Sequence, residues 1–277
     1  MKQLIDTHTY FGSNRQFTVD IKPERHRKLQ EKIIESHGYS PKFLLMAYST
    51  EGNFLLPGII SDNPDLFLGG ILQFNPNRSF EKIFEYTSPV ELEKIIKSGL
   101  IVGLKLHTSA TKIRVDCEDL DEFSRLAIDH EIPMVFHCAA TGQDFSHPDY
   151  FRRLKDRHPD LRIVCAHYGG LYEEYIPQYV KLVDEFPDVY LNTAGLSGEI
   201  RRWDFDADPP SLFYKQNPER WSDLFLDSIV GIEDKVLFGS DYPELHFTLN
   251  PIDKTDRKIQ QKVLYKNPVN AFGLDDM

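Results

Sequence analysis

Eight short apolar runs recur along the chain, and a longer segment with helical character follows each of them. This alternation of strand and helix is typical of α/β proteins whose strands are parallel. Eight repeats of the unit predict a (β/α)8 barrel with right-handed crossovers between neighbouring strands. The predicted strands cover residues 3–6, 43–47, 66–72, 101–106, 133–137, 161–167, 189–192 and 235–241.

The chain has 277 residues, which suits one such barrel, so we expect residues 1–277 to form a single domain. One connection, residues 194–217, is too long for a passive link between a strand and a helix. We expect it to form part of the rim of an active site.

Charge and composition narrow the classes of partner. The net charge of −11 repels phosphate backbones, which argues against a nucleic-acid partner. No apolar run approaches the roughly 20 residues that span a bilayer, and the first residues lack the pattern of a signal peptide. Cys117, Cys138 and Cys165 lack metal-type spacing, so we expect free thiols in a reducing cytoplasm. We therefore expect a cytoplasmic protein that acts on a small molecule.

Polar residues stand at or just beyond the ends of several predicted strands. Barrel enzymes place their chemistry at the C-terminal ends of the strands, so we expect these side chains to meet there. Burying unpaired charge is costly, so the groups must satisfy one another, bind a metal ion or hold a substrate. The residues are His8, Lys105, His107, His137, His167 and Asp241.

Side chains alternate between the two faces of a strand, which predicts which residues share the barrel interior. The alternation groups each terminal polar residue with the residues two and four positions before it. The sets expected to face inward are Leu4, Asp6, His8 and Tyr10; Gly103, Lys105 and His107; Ile163, Cys165 and His167; and Leu237, Gly239 and Asp241.

Several motifs along the chain together resemble the amidohydrolase superfamily, in particular its "amidohydrolase 2" branch. They are IDTH at 5–8, GLKLH at 103–107, VFH at 135–137, AHYGG at 166–170, FGSDYP at 238–243 and NPVNAFGL at 267–274. The resemblance implies a distorted (β/α)8 TIM barrel. Members of that branch include decarboxylases of aromatic and enoic acids and lactone hydrolases.

The resemblance also implies roles for individual residues. His8 and His137 would be metal ligands, Asp241 a ligand and general base, and His167 a catalytic residue. The chain departs from the family at Tyr10, which stands where the family's Asp-x-His-x-His motif has its second histidine. Three protein ligands suffice for a catalytic zinc ion, and a phenolate oxygen at Tyr10 is a further candidate ligand or substrate contact. We expect one divalent ion, Zn²⁺ or Mn²⁺, with its occupancy left open by the tyrosine.

Lys105 has two interpretations. In binuclear members of the wider superfamily, a lysine on the fourth strand is carbamylated and bridges two metal ions. That arrangement needs the full histidine pair, which Tyr10 interrupts. We expect instead that Lys105 serves catalysis by orienting an anionic substrate or by pairing with Asp241 or Asp6.

The remaining predictions concern the substrate. His107 lies just past its strand and is expected to touch the substrate, and Arg201 is a candidate for binding a carboxylate bidentately. The favoured function is hydrolysis of a small, carboxylated lactone, ester or amide. The alternatives are a nonoxidative decarboxylase, a metal-free lactone hydrolase and, least favoured, a non-catalytic ligand-binding protein. A homodimer is left open, because barrels of this branch commonly pair.

Overall fold

A computed structural model gives the architecture. It describes residues 2–14, 19–77, 85–138, 143–170, 175–195, 218–242 and 249–274. The prediction that residues 194–217 form a rim falls almost wholly outside these residues, as does the predicted substrate contact at Arg201.

Nine strands in the described part of the chain form one sheet. Its order is β2-β1-β3-β4-β5-β6-β7-β8-β9, and every neighbouring pair is parallel except β1 with β2. The strands are β1 (Lys2–Asn14), β2 (Val19–Ile21), β3 (Tyr39–Ala47), β4 (Phe67–Phe74), β5 (Ile101–Leu106), β6 (Met134–Phe136), β7 (Ile163–Cys165), β8 (Val189–Asn192) and β9 (Val236–Leu237). Each of the eight predicted strands overlaps one of the parallel strands, and only β2 was not predicted.

The two ends of the parallel sheet meet and bring it close to a closed barrel. The Thr7 amide donates to the Phe238 carbonyl at 3.0 Å, and the Tyr10 amide donates to the Tyr242 carbonyl at 2.9 Å. Thr9 and Tyr242 also pair in an isolated parallel bridge. The eight parallel strands with helices between them confirm the predicted (β/α)8 TIM barrel. That the whole chain is one domain stays a prediction.

Helices connect successive strands. They are α1 (Pro23–His37), α2 (Leu56–Asp62), α3 (Pro89–Ile96), α4 (Thr108–Thr111), α5 (Asp121–Asp129), α6 (Gln143–Ser146), α7 (Pro148–Arg157), α8 (His167–Gly170), α9 (Ile176–Glu185), α10 (Pro218–Ile229), α11 (Leu249–Asp253), α12 (Arg257–Gln261) and α13 (Asn267–Phe272). Short 3₁₀ turns occupy Glu51–Leu55, Glu118–Leu120 and Glu233–Lys235, and Lys262–Lys266 is a π-helical turn. Within the described ranges, no helix is both long and apolar enough to cross a membrane.

Local sequence explains where α3 begins. The Ser88 hydroxyl accepts from the Glu91 amide at 3.3 Å, and the Glu91 carboxylate accepts from the Ser88 amide at 3.0 Å. This reciprocal capping box satisfies two backbone donors that the first turn leaves open. Pro89 follows at the first helical position, where its fixed φ is favourable and its missing N–H costs nothing.

The strand side chains divide between two clusters. One packs with residues of the surrounding helices, and the other fills the barrel together with the C-terminal segment around Phe272. The interior cluster includes Ile5, Leu44, Met46, Ile71, Val135, Val164, Ala166 and Leu237. The cluster beneath the helices includes Leu4, Phe43, Leu45, Leu72, Leu104, Met134, Phe136, Ile163 and Cys165.

The alternation argument is therefore wrong for β7 and for the start of β1. Ile163 and Cys165 pack beneath the helices with Tyr179, so they do not share a face with the barrel interior. Leu4 also faces the helix layer, while Ile5 faces inward. The rule fails because a strand keeps its period of two only while it stays regular, and both strands are interrupted before their functional residues.

Candidate active site

The functional side chains converge at the C-terminal ends of the parallel strands. His8 and Tyr10 lie in the second half of β1, and Lys105 is the penultimate residue of β5. His107 and His137 each follow a strand directly. The last two residues, His167 and Asp241, come after short extensions of β7 and β9.

An irregularity in β1 turns His8 and Tyr10 toward this site. The pairing of β1 with β3 shifts register between Asp6 and Thr9. Such bulges change the direction of the following side chains and are common beside active sites. The Asp6 carboxylate holds the irregularity in place, because its Oδ1 accepts from the amides of His8 at 3.1 Å and Ser240 at 2.9 Å. Burial raises the pKa of Asp6 to about 7, against the lowering effect of the hydrogen bonds from Ser240.

His167 and Asp241 both leave their strands in the left-handed region, with φ of 57° and 60°. Non-glycine residues rarely adopt this conformation, and such strain concentrates at functional sites. The left-handed turn explains how His167 reaches the site although Cys165, two positions earlier, faces the helices.

Gly239 allows the strands on either side to approach. A Cβ atom at this position would lie 2.5 Å from Oδ1 of Asn192 and 2.8 Å from Cβ of His8. The Asn192 amide group in turn donates to the Thr7 hydroxyl at 2.6 Å and accepts from the Ala194 amide at 2.7 Å. The absence of a side chain at Gly239 thus lets β1, β8 and β9 converge behind His8.

His8, His167 and Asp241 form the centre of the site. Their ligand atoms all lie within 4.8 Å of one another, and all three residues are buried. Nε2 of His8 lies 3.2 Å from Oδ1 of Asp241, and Nδ1 of His167 lies 3.9 Å from Oδ2. Around the same Nε2 atom stand the Tyr10 hydroxyl at 3.2 Å and the Lys105 ammonium at 3.4 Å.

Burial keeps the histidines of the site neutral. It lowers the pKa of His167 and of His107 to about 3, and the pKa values of His8 and His137 fall well below the ordinary range. The charge of Lys105 adds to this effect at His8. A neutral imidazole is the form that binds metal ions and accepts protons.

Asp241 responds to burial in the opposite sense. Its pKa is raised by loss of hydration, while His167 and Lys105 pull it back toward the ordinary value.

His167 also forms a hydrogen-bonded pair with His137. Nδ1 of His167 lies 3.1 Å from the Ala194 carbonyl, which can only accept, so this nitrogen carries the proton. Nε2 of His167 then accepts from Nδ1 of His137, 2.8 Å away. The ring of His107 stacks on that of His137 with centroids 3.7 Å apart.

Tyr10 stands against a second tyrosine. Its ring stacks on Tyr48, the residue directly after β3, with centroids 4.5 Å apart and planes 8° from parallel. The stack forms an aromatic wall beside His8 and fixes the position of the Tyr10 hydroxyl.

The residues present fit a divalent ion. Two ligand atoms held at about 2.1 Å by one ion lie roughly 3 to 4 Å apart, and the 3.2 Å between His8 Nε2 and Asp241 Oδ1 falls in that range. Within the described residues, Oδ1 of Asp241 also has no hydrogen-bond partner, although it is buried. Two imidazoles and one carboxylate are a donor set that suits several divalent metals, so the identity of the ion stays open.

The geometry brings together His8, Tyr10, Lys105, His167 and Asp241, and places His107 and His137 beside them. The group with metal-binding geometry contains His167, whereas the sequence reasoning put His137 in that role. The ligand role of His137 and the catalytic roles of Lys105 and Asp241 stay predictions. Two contributors had no assigned role: Tyr48 and Asn192. Only their polar or aromatic character near a strand end signals them, and that signal is weak without the strand register.

Comparison with known proteins identifies the family to which most of the chain is similar. The family model described as "Amidohydrolase" matches residues 75–274. No curated protein matched the chain.

Similar solved structures include a putative 2-pyrone-4,6-dicarboxylic acid hydrolase from Pseudomonas putida, with a TM-score of 0.69, 14% identity, and 99% of this chain and 98% of that chain covered. A probable 2-pyrone-4,6-dicarboxylic acid hydrolase from Acinetobacter baumannii, with citric acid bound, has a TM-score of 0.63, 17% identity, and coverage of 98% and 99%. The 5-carboxyvanillate decarboxylase from Novosphingobium aromaticivorans, complexed with manganese and a nitrobenzoic acid, has a TM-score of 0.62, 14% identity, and coverage of 99% and 96%.

At these identities the likeness to the solved structures establishes the fold. The family model covers well over half of the chain and includes four of the motifs that carry site residues. The chain therefore belongs to the amidohydrolase family, in the branch whose structural neighbours include both hydrolases and decarboxylases.

Proposed function

We propose that the protein is a hydrolase that acts on a small carboxylated lactone, ester or amide. The observation that carries the proposal is the buried group of His8, His167 and Asp241, whose ligand atoms lie within 4.8 Å of one another beside the ammonium group of Lys105. A base, neutral imidazoles and a cation in one water-poor site are the components that addition of water to a carbonyl needs.

Asp241 is the general base in this proposal. Its raised pKa brings its proton affinity closer to neutral pH, which suits a group that takes a proton from water and later returns it to the leaving group. Oδ2 is the atom assigned to this transfer, because Oδ1 faces Nε2 of His8 at the proposed metal position, whereas Oδ2 faces Nδ1 of His167.

Lys105 supplies positive charge to the site, and His167 has a fixed orientation beside Asp241. Lys105 is fully buried, and its ammonium group is positioned to attract a substrate carboxylate into the site. Nδ1–H of His167 is held by the Ala194 carbonyl, which fixes the ring orientation beside Asp241. A cation in a low-dielectric site stabilises an oxyanion more than it would in water, which is the role assigned to Lys105.

Metal binding displaces protons from ligand atoms, so His167 would coordinate a divalent ion only in place of one of its present hydrogen bonds. An ion held in this way together with His8 and Asp241 would supply Lewis-acid polarisation of a carbonyl oxygen and easier deprotonation of water. The 5-carboxyvanillate decarboxylase from N. aromaticivorans is complexed with manganese, which supports Mn²⁺ as a candidate ion alongside Zn²⁺. Cytoplasmic location, a small-molecule substrate and pairing into a homodimer complete the proposal as expectations from the sequence.

A decarboxylase is the second candidate, because structural neighbours of this fold include 5-carboxyvanillate decarboxylases. Proton release from a panel of lactones and esters, read with a pH indicator, and formation of a primary amine from a panel of amides, read with an amine-reactive dye, test the hydrolase directly. A parallel panel of carboxylic acids, assayed for CO₂ release, tests the lyase. Hydrolysis without CO₂ supports the proposal, and CO₂ release without hydrolysis contradicts it. Activity that survives exhaustive chelation would assign metal-free hydrolysis.

A further inference from the structure

A buried side-chain amide in β4 has no role in the proposed chemistry. Gln73 is 1% exposed, and its side-chain Oε1 has no hydrogen-bond partner among the described residues. Buried polar side-chain atoms nearly always have a partner, because an unmade hydrogen bond leaves the cost of lost hydration uncompensated. Such an atom calls for an explanation, and a bound ligand, ion or water molecule is one.

The strand register places Gln73 in the wall of the active site. Gln73 is the direct partner of Lys105 across β4 and β5, and neighbouring strands lie about 4.8 Å apart. Ile71, two positions earlier on the same strand, packs in the barrel interior, whereas Leu72 and Phe74 pack beneath the helices. Gln73 therefore shares the interior face with Ile71 and lies beside the lysine whose ammonium group contacts His8.

The backbone of Gln73 is held rigidly. The Asn53 side chain donates to the Gln73 carbonyl at 2.6 Å and accepts from the Gln73 amide at 2.9 Å. Asn53 is itself 1% exposed, so both bonds are shielded from water. This two-point attachment fixes the backbone from which the Gln73 side chain projects.

We infer that Gln73 is a substrate-recognition residue whose Oε1 accepts a hydrogen bond from an N–H group of the substrate, beside a carboxylate bound by Lys105. The inference rests on the proposed hydrolase function and narrows it. An acceptor at this position favours a carboxylated cyclic amide over the matching lactone, because the ring N–H of the amide donates and the ring oxygen of the lactone cannot. A site built to bond a substrate group rejects the analogue that lacks it, since the buried partner is then left unpaired.

A matched pair of compounds tests this directly: 5-oxoprolinate and 5-oxotetrahydrofuran-2-carboxylate, which differ only in N–H against oxygen in the ring. We expect the wild-type protein to bind 5-oxoprolinate about 10- to 100-fold more tightly, the factor that corresponds to leaving one buried acceptor unpaired. In Gln73→Leu the preference falls by at least about tenfold. The exposed Gln261→Leu serves as the matched control and keeps the wild-type preference.

Thermal stability gives a second readout that separates recognition from a structural role. Replacing an unsatisfied buried amide by an apolar side chain of similar size removes a penalty, so we expect Gln73→Leu to raise Tm by about 2–4 °C. A structural amide would instead lower Tm when removed. A lower Tm together with an unchanged preference would overturn the inference.

Equilibrium binding is measured by calorimetry. Turnover of the lactone is followed by proton release, and turnover of 5-oxoprolinate is followed by the primary amine that ring opening creates, because opening the amide releases no net proton. If neither compound is hydrolysed but 5-oxoprolinate binds with a preference that Gln73→Leu abolishes, the recognition role stands and the hydrolase proposal loses support. If hydrolysis is observed with no preference, or with a preference for the lactone that Gln73→Leu leaves intact, the recognition role is wrong and the hydrolase stands.

Discussion

The ammonium nitrogen of Lys105 lies 3.4 Å from Nε2 of His8, and both side chains are fully buried. The same ring nitrogen lies 3.2 Å from the Asp241 carboxylate. One imidazole therefore stands between a cation and a carboxylate in a site that excludes water. This arrangement places a positive charge close to the Asp241 carboxylate, in the site proposed for an anionic substrate, and it underlies the first prediction.

Lys105→Met should weaken binding of carboxylated substrates. Loss of one charge-assisted hydrogen bond corresponds to about 1.5–3 kcal/mol, so KM should rise by about 10- to 100-fold. The comparison is between a carboxylated substrate and its methyl ester, measured by steady-state kinetics. Because the ester carries no charge for Lys105 to bind, its KM should change less. An equal rise in KM for both compounds would show that Lys105 does not bind the substrate carboxylate.

Tyr10→His should increase the metal content of the protein. The Tyr10 hydroxyl lies 3.2 Å from Nε2 of His8, so a histidine there adds a nitrogen ligand next to an existing one. Groups that only support a ligand change metal affinity by about 10- to 100-fold, so a direct ligand should raise it by at least about tenfold. The ion content per chain is measured by elemental analysis of protein purified without chelator.

Tyr48→Phe is the control for that experiment, because it keeps the ring that stacks on Tyr10. Its metal content should match that of the wild type. If Tyr10→His binds no more metal than the wild type, the tyrosine is not what limits metal binding.

Gly239→Ala should destabilise the fold. The added methyl group would meet Asn192 and His8 at distances that force the strands apart, and overpacking of this kind costs about 1–3 kcal/mol. Gly58→Ala is the matched control, since nothing lies within 4 Å of its Cβ position inside α2. That change should stabilise the protein by about 0.5–1 kcal/mol. Urea denaturation measures both; equal effects would contradict the close approach at Gly239.

His26 should make the protein less stable in acid. It is buried against Phe43, Phe67 and Tyr242, and burial lowers its pKa from 6.5 to about 4. Between about pH 4 and 6.5 the unfolded chain binds a proton that the folded chain does not. The stability from this group is therefore present above pH 6.5 and is lost as the pH falls toward 4.

His26→Phe removes this linkage. Between pH 8 and pH 5 the wild type should lose about 2 kcal/mol more of its unfolding free energy than His26→Phe loses. Denaturant titrations at the two pH values make the comparison, and the other histidines contribute equally to both proteins. Parallel losses in the two proteins would mean that His26 is already protonated in the fold or is solvated.

The strand and helix pattern was sufficient to predict the barrel, because each parallel strand is an apolar run with its own boundaries. The convergence of His8, His167 and Asp241 also followed, since strand ends in a barrel meet at one rim. The orientation of individual side chains could not be predicted in this way. The bulge after Asp6 and the left-handed turns at His167 and Asp241 depend on contacts with distant strands, and a single strand's period cannot reveal them.

Gln73 is a second example of a residue whose role the sequence alone could not reveal. In the sequence it is one polar residue within an apolar run, and nothing local marks it as more than a solvent-facing position. Its significance depends on its pairing with Lys105 across β4 and β5, on the buried clamp from Asn53, and on the missing partner of Oε1.

The central claim is that Asp241 moves the proton in a site built from His8, His167 and Asp241. The most direct test is kcat/KM of Asp241→Asn on whichever compound the wild type hydrolyses, with circular dichroism and metal content checked on both proteins. General acid–base catalysis contributes about 10²- to 10⁴-fold, so the variant should lose at least about 100-fold in kcat/KM while it keeps its fold. Turnover within threefold or so of the wild type, in a folded variant, would contradict the account.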